Sequence, residues 1–227
     1  MTGQQFINSI MIDTDRYDNL VTDTTYRAIA LDWLNRIVKD ISAMQESYHW
    51  RWLEKTSTFN TVASQLSYDL PSDIDGYKVL SLKQTTTDVK LYYIPQEEFN
   101  RLYPDPTQHT GNTICYTLYA NAIRLYPTPS GAIEMTMRFV KTITALADGS
   151  GVTDIPAKYD EIVLHGAMSK AYKFDKRLNE SVDSYNKYLT GVERMKTDNG
   201  MIIDNLDVAR GHSTRRYVPL WKTPAGQ

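Results

Sequence analysis

The stretch TTYRAIALDWLNRIVKDISAMQESYHWRW, residues 24–52, contains the change of hydrophobic period that decides the fold. Up to about Tyr48 its apolar residues recur every three or four positions, which predicts an amphipathic helix capped by Thr22 or Asp23. From His49 the period becomes two, so the helix is predicted to lead directly into β structure. The apolar stripe of the predicted helix consists of Ile29, Trp33, Leu34, Ile37, Val38, Ile41 and Met44.

The segment from His49 to about Val140 is predicted to be β-rich and antiparallel, because β-branched and aromatic residues alternate there between turn signals. Pro95 predicts a short helix that ends at Tyr103-Pro104, and Ala120-Asn121 is a candidate tight hairpin. Strands are predicted at residues 50–59, 65–70, 77–83, 89–94, 114–119, 122–126 and 132–140.

Further helices are predicted on both sides of this β-rich segment: a short one at residues 3–12, one that opens at Ile155-Pro156, and a long one at 179–197. The long one carries Val182, Tyr185, Leu189, Val192 and Met195 at helical spacing. The predicted fold class is therefore α+β, a helical bundle from the N- and C-terminal helices with a β-rich antiparallel middle and an extended C-terminal tail. The predicted parts are 1–48 (helical), 49–150 (β-rich insertion), 151–198 (helical, packing on 1–48) and 199–227 (extended arm).

Charge divides the chain unevenly, although its 227 residues carry a formal net charge of only −2. No acidic residue follows Asp207, so the arm is basic and is expected to seek an acidic partner. No apolar run approaches the roughly 20 residues that cross a bilayer, and residues 1–6 lack a signal pattern, so we expect no membrane contact and synthesis in the cytoplasm. The single cysteine, Cys115, allows no intrachain disulfide and is predicted to be a small buried hydrophobe.

Candidate chemistry in the sequence is sparse. Glu161 and His165 are four residues apart on one helix, yet two ligands make a weak metal site, and a helix-surface pair is the favoured interpretation. Glu97 and Glu98 suit glycoside hydrolysis only if a further carboxylate lies opposite, and solvated acids in a first helical turn are favoured. Because no nucleophile elbow or phosphate loop is present, we predict neither catalysis nor a cofactor.

The arm carries residue types that dominate the energy of protein interfaces, namely tryptophan, tyrosine and arginine. Docking into another protein is favoured over two alternatives that stay open: a solvated disordered tail, and nucleic-acid binding through Arg215, Arg216 and the neighbouring aromatic residues. The candidate docking residues are Arg210, Arg215, Arg216, Tyr217, Leu220 and Trp221.

The order of several short motifs resembles the head-to-tail adaptor proteins of tailed bacteriophages, of the tail-tubular A type. After the early helix come Tyr48-His49-Trp50-Arg51-Trp52 and then Tyr68-Asp69-Leu70-Pro71-Ser72-Asp73. The strand that ends in Leu125-Tyr126-Pro127-Thr128-Pro129 follows, and Ile155-Pro156-Ala157-Lys158-Tyr159 starts the later helix with Gly166-Ala167. The resemblance covers most of the chain.

This resemblance implies a non-enzymatic virion protein at the head-tail junction that forms a ring, commonly of twelve copies, beneath the portal protein. The ring would join the portal to a tail or nozzle protein, and DNA would pass through its lumen without specific binding. Residues 201–227 resemble the extension that climbs onto the portal. The residues singled out for ring contacts or helix packing are Trp33, Ile37, Ile41, Tyr159 and Ile162. A tail-completion or nozzle subunit that contacts other tail proteins is the alternative.

Overall fold

The computed structural model describes residues 1–16, 23–44, 50–147 and 149–207, with side chains up to residue 199. Two helices open the chain. Helix α1 (Gly3–Asp13) begins with a capping box, in which Thr2 Oγ1 accepts from the Gln5 amide and Gln5 Oε1 accepts from the Thr2 amide. Helix α2 (Thr24–Ala43) is capped by Asp23, as predicted, because the Tyr26 amide donates to its carboxylate over 2.9 Å. The predicted end of this helix, residues 45–48, lies outside the described residues.

The middle of the chain contains nine short strands and one helix within the described residues. Helix α3 (Gln96–Leu102) begins after Pro95 and ends at Tyr103, as the two prolines predict. The hairpin at Ala120-Asn121 is also confirmed, and both residues have positive φ angles. The strands are β1 (Glu54–Asn60), β2 (Ser67–Asp69), β3 (Ile74–Gln84), β4 (Tyr92–Tyr93), β5 (Thr110–Gly111), β6 (Cys115–Tyr119), β7 (Ala122–Tyr126), β8 (Thr128–Pro129) and β9 (Glu134–Lys141).

Three sheets form from these strands, in the orders β1-β9-β3, β2-β7-β6-β4 and β5-β8. The prediction of a wholly antiparallel middle is wrong for two pairs, because β4 lies parallel to β6 and β5 lies parallel to β8. The reason for the first is a crossover: α3 and the loop after it carry the chain back to the start of β6, which restores the original strand direction. The predicted strand at 50–59 starts later than expected, since Arg51–Leu53 form a 3-10 turn.

Two helices complete the fold, α4 (Asp160–Phe174), which follows the 3-10 turn Ala157–Tyr159, and α5 (Leu178–Asp207). At 30 residues α5 is about 45 Å long. The extended conformation predicted from residue 199 is wrong for 199–207, which are helical. Asn199 is buried, and its Oδ1 accepts a 3.2 Å hydrogen bond from the Arg51 amide, so the helix is held against the body where its apolar periodicity fades.

The hydrophobic core has two clusters. The helical cluster contains the inner faces of α1, α2, α4 and α5 together with Trp50, Leu53, Val140, Ile143 and Leu146, so both ends of the predicted β-rich insertion pack into the helical body. The second cluster lies between the sheets and includes Leu82, Ile123, Leu125, Met137 and Phe139. The predicted α+β fold class is confirmed. Cys115 is buried as predicted, and burial raises the pKa of its thiol to about 11.

Gly166 lies where α4 packs against both α2 and α5. A Cβ at this position would be 2.9 Å from Ile37 Cγ2 and 2.9 Å from Tyr188 Cδ2, so two helices would have to move. We expect Gly166→Ala to lower the free energy of unfolding by about 1–3 kcal/mol, even after the gain in helix propensity. Chemical denaturation measures this. The matched control is Gly131→Ala, whose Cβ meets nothing within 4 Å, and an equal loss in both variants would contradict the close packing.

Candidate assembly surfaces

The predicted docking residues of the arm, Arg210 to Trp221, all lie outside the described residues. What the structure describes is the base of the arm. Helix α5 passes the end of the helical body where the Tyr159 hydroxyl donates to Asp198 over 3.2 Å and Lys158 pairs with Asp198 at 3.5 Å. The arm therefore follows a helix that is tied to the body up to residue 199.

The five residues singled out for ring contacts or helix packing lie in or against the helical core of a single copy. The side chains of Trp33, Ile37, Ile41 and Tyr159 are buried, and Ile162 is half-buried and packs against the same cluster. Trp33 also meets Tyr26 edge-on, with ring centroids 5.7 Å apart. These side chains join the helices of one copy. Contacts between copies would therefore use other residues.

Helix α5 presents apolar residues on two faces. The inner face, which includes Tyr188, Val192 and Met195, is buried against α4 and the rest of the helical core. The outer face carries four large apolar side chains with 42–63% of their surface exposed, at spacings of four, three and four residues. We call this set the α5 stripe: Leu178, Val182, Tyr185 and Leu189.

The α5 stripe borders an open groove of about 500 Å³ between α2 and α5, with part of α4 beneath it. Tyr185 and Leu189 line one wall, Ala43 and Met44 line the other, and Ser169 lies on α4. At the Val182 end, the Ser181 hydroxyl donates to the carbonyl of Ser169 over 2.8 Å and fixes α5 to α4. The groove is thus built from helices that are held together independently of any occupant.

The polar groups of this groove are not neutralised by their neighbours. Lys170 on α4 and Asp40 on α2 line the groove, and Lys173 on α4 lines the adjoining pocket at the Val182 end. None of the three has an ion pair within the described part of the chain. The hydroxyl of Tyr188 is buried and has no hydrogen-bond partner among the described residues. Burial raises the pKa of Tyr188, and the nearby charge of Asp40 adds to the shift. A group that bound here would meet charges of both signs.

A second exposed apolar surface lies on the β-rich part, in a groove of about 550 Å³ between β3 and the β4 edge of the four-stranded sheet. Tyr77, Tyr92 and Tyr93 are about half exposed and line it, with Leu91 and Tyr116 buried beneath. The Tyr93 and Tyr116 rings are tilted with centroids 5.6 Å apart. We call it the tyrosine groove. The alternation of residues in the sequence did not identify this surface.

The residues considered for chemistry are not brought together. Glu161 and His165 both lie on α4, and no group of three possible metal ligands forms among the described residues. Glu97 and Glu98 lie in the first turn of α3, as predicted, and both are exposed. Glu98 pairs loosely with Arg101 at 3.6 Å. None of the described helices is both long and apolar enough to span a membrane.

Exposed apolar grooves on a rigid α+β body, joined to a basic aromatic terminal segment, are typical of structural proteins that act by contacting other chains. Comparison with known families makes the assignment specific: the model described as SU10 adaptor protein matches residues 1–212. The chain belongs to this family of phage head-to-tail adaptors, which confirms the predicted resemblance. No curated protein matches the chain. Membership of the adaptor family makes the role of this chain structural, within a bacteriophage.

Proposed function

We propose that this protein forms a ring beneath the portal of a tailed bacteriophage and joins the portal to the tail or nozzle, with the DNA channel continuous through the ring. A twelve-copy ring is the arrangement that the family resemblance suggests. The family match supports the adaptor role, and the observation that carries the portal contact is the composition of the arm. Its last 20 residues hold four cations, two aromatic residues and no acid.

The arm is long enough to act away from the body to which it is attached. At about 3.3 Å per residue, residues 208–227 reach up to roughly 66 Å beyond the end of α5. A segment of this length that joins a rigid helix suits a partner that lies above the ring. Its arginine and aromatic side chains are the types that contribute most at interfaces, so we assign portal docking to Arg210, Arg215, Arg216, Tyr217, Leu220 and Trp221.

The charge of the body agrees with a channel that does not hold DNA. All 27 acidic residues but only 21 of the 25 lysines and arginines precede residue 208, so residues 1–207 have a formal net charge of −6. A surface of that sign repels phosphate, and tight binding of DNA requires cations that neutralise phosphates. We propose that DNA passes through the lumen without specific binding and that no cofactor takes part.

The opposite side of the ring would meet the tail. The tyrosine groove is the described surface of the β-rich part best suited to such a contact, because it is concave and its aromatic side chains are exposed. A tail-completion or nozzle subunit that binds only tail proteins remains the second candidate. The tyrosine groove supports that role equally well, whereas the arm favours the portal.

Binding to purified partners separates these two functions. The full chain is mixed with the portal ring of the same phage, and separately with each of its tail proteins, and complexes are isolated by sedimentation. We expect the chain to sediment with the portal in a fixed ratio. Sedimentation with a tail protein and never with the portal would overturn the adaptor function in favour of the tail subunit.

A further inference from the structure

We propose that the α5 stripe is the surface through which this chain binds a second copy of itself. The inference deepens the proposed ring and rests on it. A ring requires a head-to-tail contact, in which one surface of each copy binds a different surface of the next. The α5 stripe supplies the first of these two surfaces.

The geometry of the stripe favours a protein contact over isolated exposed side chains. Spacings of four, three and four residues place Leu178, Val182, Tyr185 and Leu189 along one line of the helix, over about 17 Å. The opposite face of α5 is anchored in the core by Tyr188 and Val192, so the stripe is presented rigidly. Binding to a rigid surface loses little conformational entropy.

Charge decides between the possible occupants. Two cations and one acid lie beside the stripe: Lys170 and Asp40 line the groove, and Lys173 lines the adjoining pocket at the Val182 end. None of the three has an ion pair among the described residues. Residues 208–227 carry four cations and no acid, so this arm would bring positive charge against two lysines. The body of a second copy has a net charge of −6 and presents both signs. The complementary occupant is therefore a second body rather than the arm.

A contact of this size explains assembly on the portal rather than in free solution. Four side chains form a small surface compared with the roughly 800 Å² per partner of a stable interface. We therefore expect the free chain to be a monomer at low concentration and to associate weakly. Once arms hold neighbouring copies on the portal, the effective concentration rises and the same contact becomes favourable.

Sedimentation equilibrium of the full chain alone tests the surface without the portal. At concentrations approaching about 1 mM, the wild type should show an average mass above the monomer value of 26.0 kDa. Leu189→Arg places a cation on the stripe near Lys170 and should weaken association at least about tenfold. The matched control Val62→Arg, on a 55% exposed valine of the β-rich part, should leave it unchanged. Equal association of wild type and Leu189→Arg would overturn the proposal.

The portal mixture then separates failure of this surface from failure of the adaptor function. With limiting chain, the wild type should fill some portal rings completely and leave others empty, because neighbours help each other to bind. Leu189→Arg, whose arm is intact, should still bind the portal but spread its copies randomly. Random filling by the wild type would overturn the α5 contact. If no chain binds the portal at all, the portal function fails, and the mass difference between wild type and Leu189→Arg still decides this inference.

Discussion

Truncation after Asp207 is expected to abolish portal binding and leave the folded body intact. The helices pack on one another through described side chains up to Asn199, so we expect the body to fold without residues 208–227. If two or more arm side chains act as anchors worth about 2 kcal/mol each, their loss weakens binding by at least about 100-fold. Binding of truncated and full chains to immobilised portal rings measures the effect, and thermal melting of both checks the fold.

A single substitution in the arm separates anchoring from general attraction of a basic tail. Trp221→Ala removes one anchor without changing charge, and Thr223→Ala is its matched control two residues away. We expect Trp221→Ala to weaken the affinity for the portal at least about 30-fold and Thr223→Ala to leave it unchanged. Undiminished portal binding by the truncated chain would move the docking surface to the body and contradict the role assigned to the arm.

Trp50→Ala is expected to cause the largest loss of stability of any single change in the described core. Its side chain is fully buried, and its indole Nε1 donates to the carbonyl of Ile41 over 2.9 Å. That carbonyl lies in the last turn of α2, where helical carbonyls lack an intrahelical partner, so Trp50 both fills the core and caps the helix. We expect the free energy of unfolding to fall by about 3–5 kcal/mol.

Two milder variants separate the cap from the packing. Trp50→Phe removes the hydrogen bond and part of the ring, whereas Trp52→Phe removes a half-buried indole whose nitrogen has no partner among the described residues. The indole rings of the two residues are 5.7 Å apart, so both report on the same region. In urea denaturation we expect Trp50→Phe to lower the free energy of unfolding clearly more than Trp52→Phe does. Equal losses of free energy would show that the cap contributes little to stability.

Much of this fold could be predicted because local chemistry dictates it. The Asp23 cap, the Pro95 start of α3 and the Ala120-Asn121 turn each depend on neighbouring residues, and each is confirmed. The predicted apolar stripe of α2 is buried from Trp33 to Ile41, as its period requires, and is half-buried at its two ends, Ile29 and Met44. The family could be recognised because the order of short motifs survives along the chain, and the match over residues 1–212 confirms it.

The features that could not be predicted depend on contacts between distant residues. The parallel pairing of β4 with β6 is set by the path of the chain through α3, which period-two alternation does not encode. Helix α5 continues past Asn199, whose side chain bonds to the Arg51 amide 148 residues earlier, a contact that the local sequence does not encode.

The candidate assembly surface shows the same division between local and distant information. Val182, Tyr185, Leu189, Val192 and Met195 form one apolar series in the sequence, yet the first three are exposed and the last two are buried. Sequence periodicity finds the apolar residues of a helix but does not say which of them another helix of the same chain covers. Trp33 and Ile37 were candidates for ring contacts or helix packing for the same reason, and both are buried in the helical core of one copy.

If this chain forms the ring that joins portal to tail, native mass spectrometry of the full chain mixed with the portal ring of the same phage should detect one ring-on-ring complex. We expect it to hold a fixed number of copies, twelve on the family resemblance, and to disappear when residues 208–227 are removed. A chain that stays monomeric at 26.0 kDa beside an intact portal would contradict it.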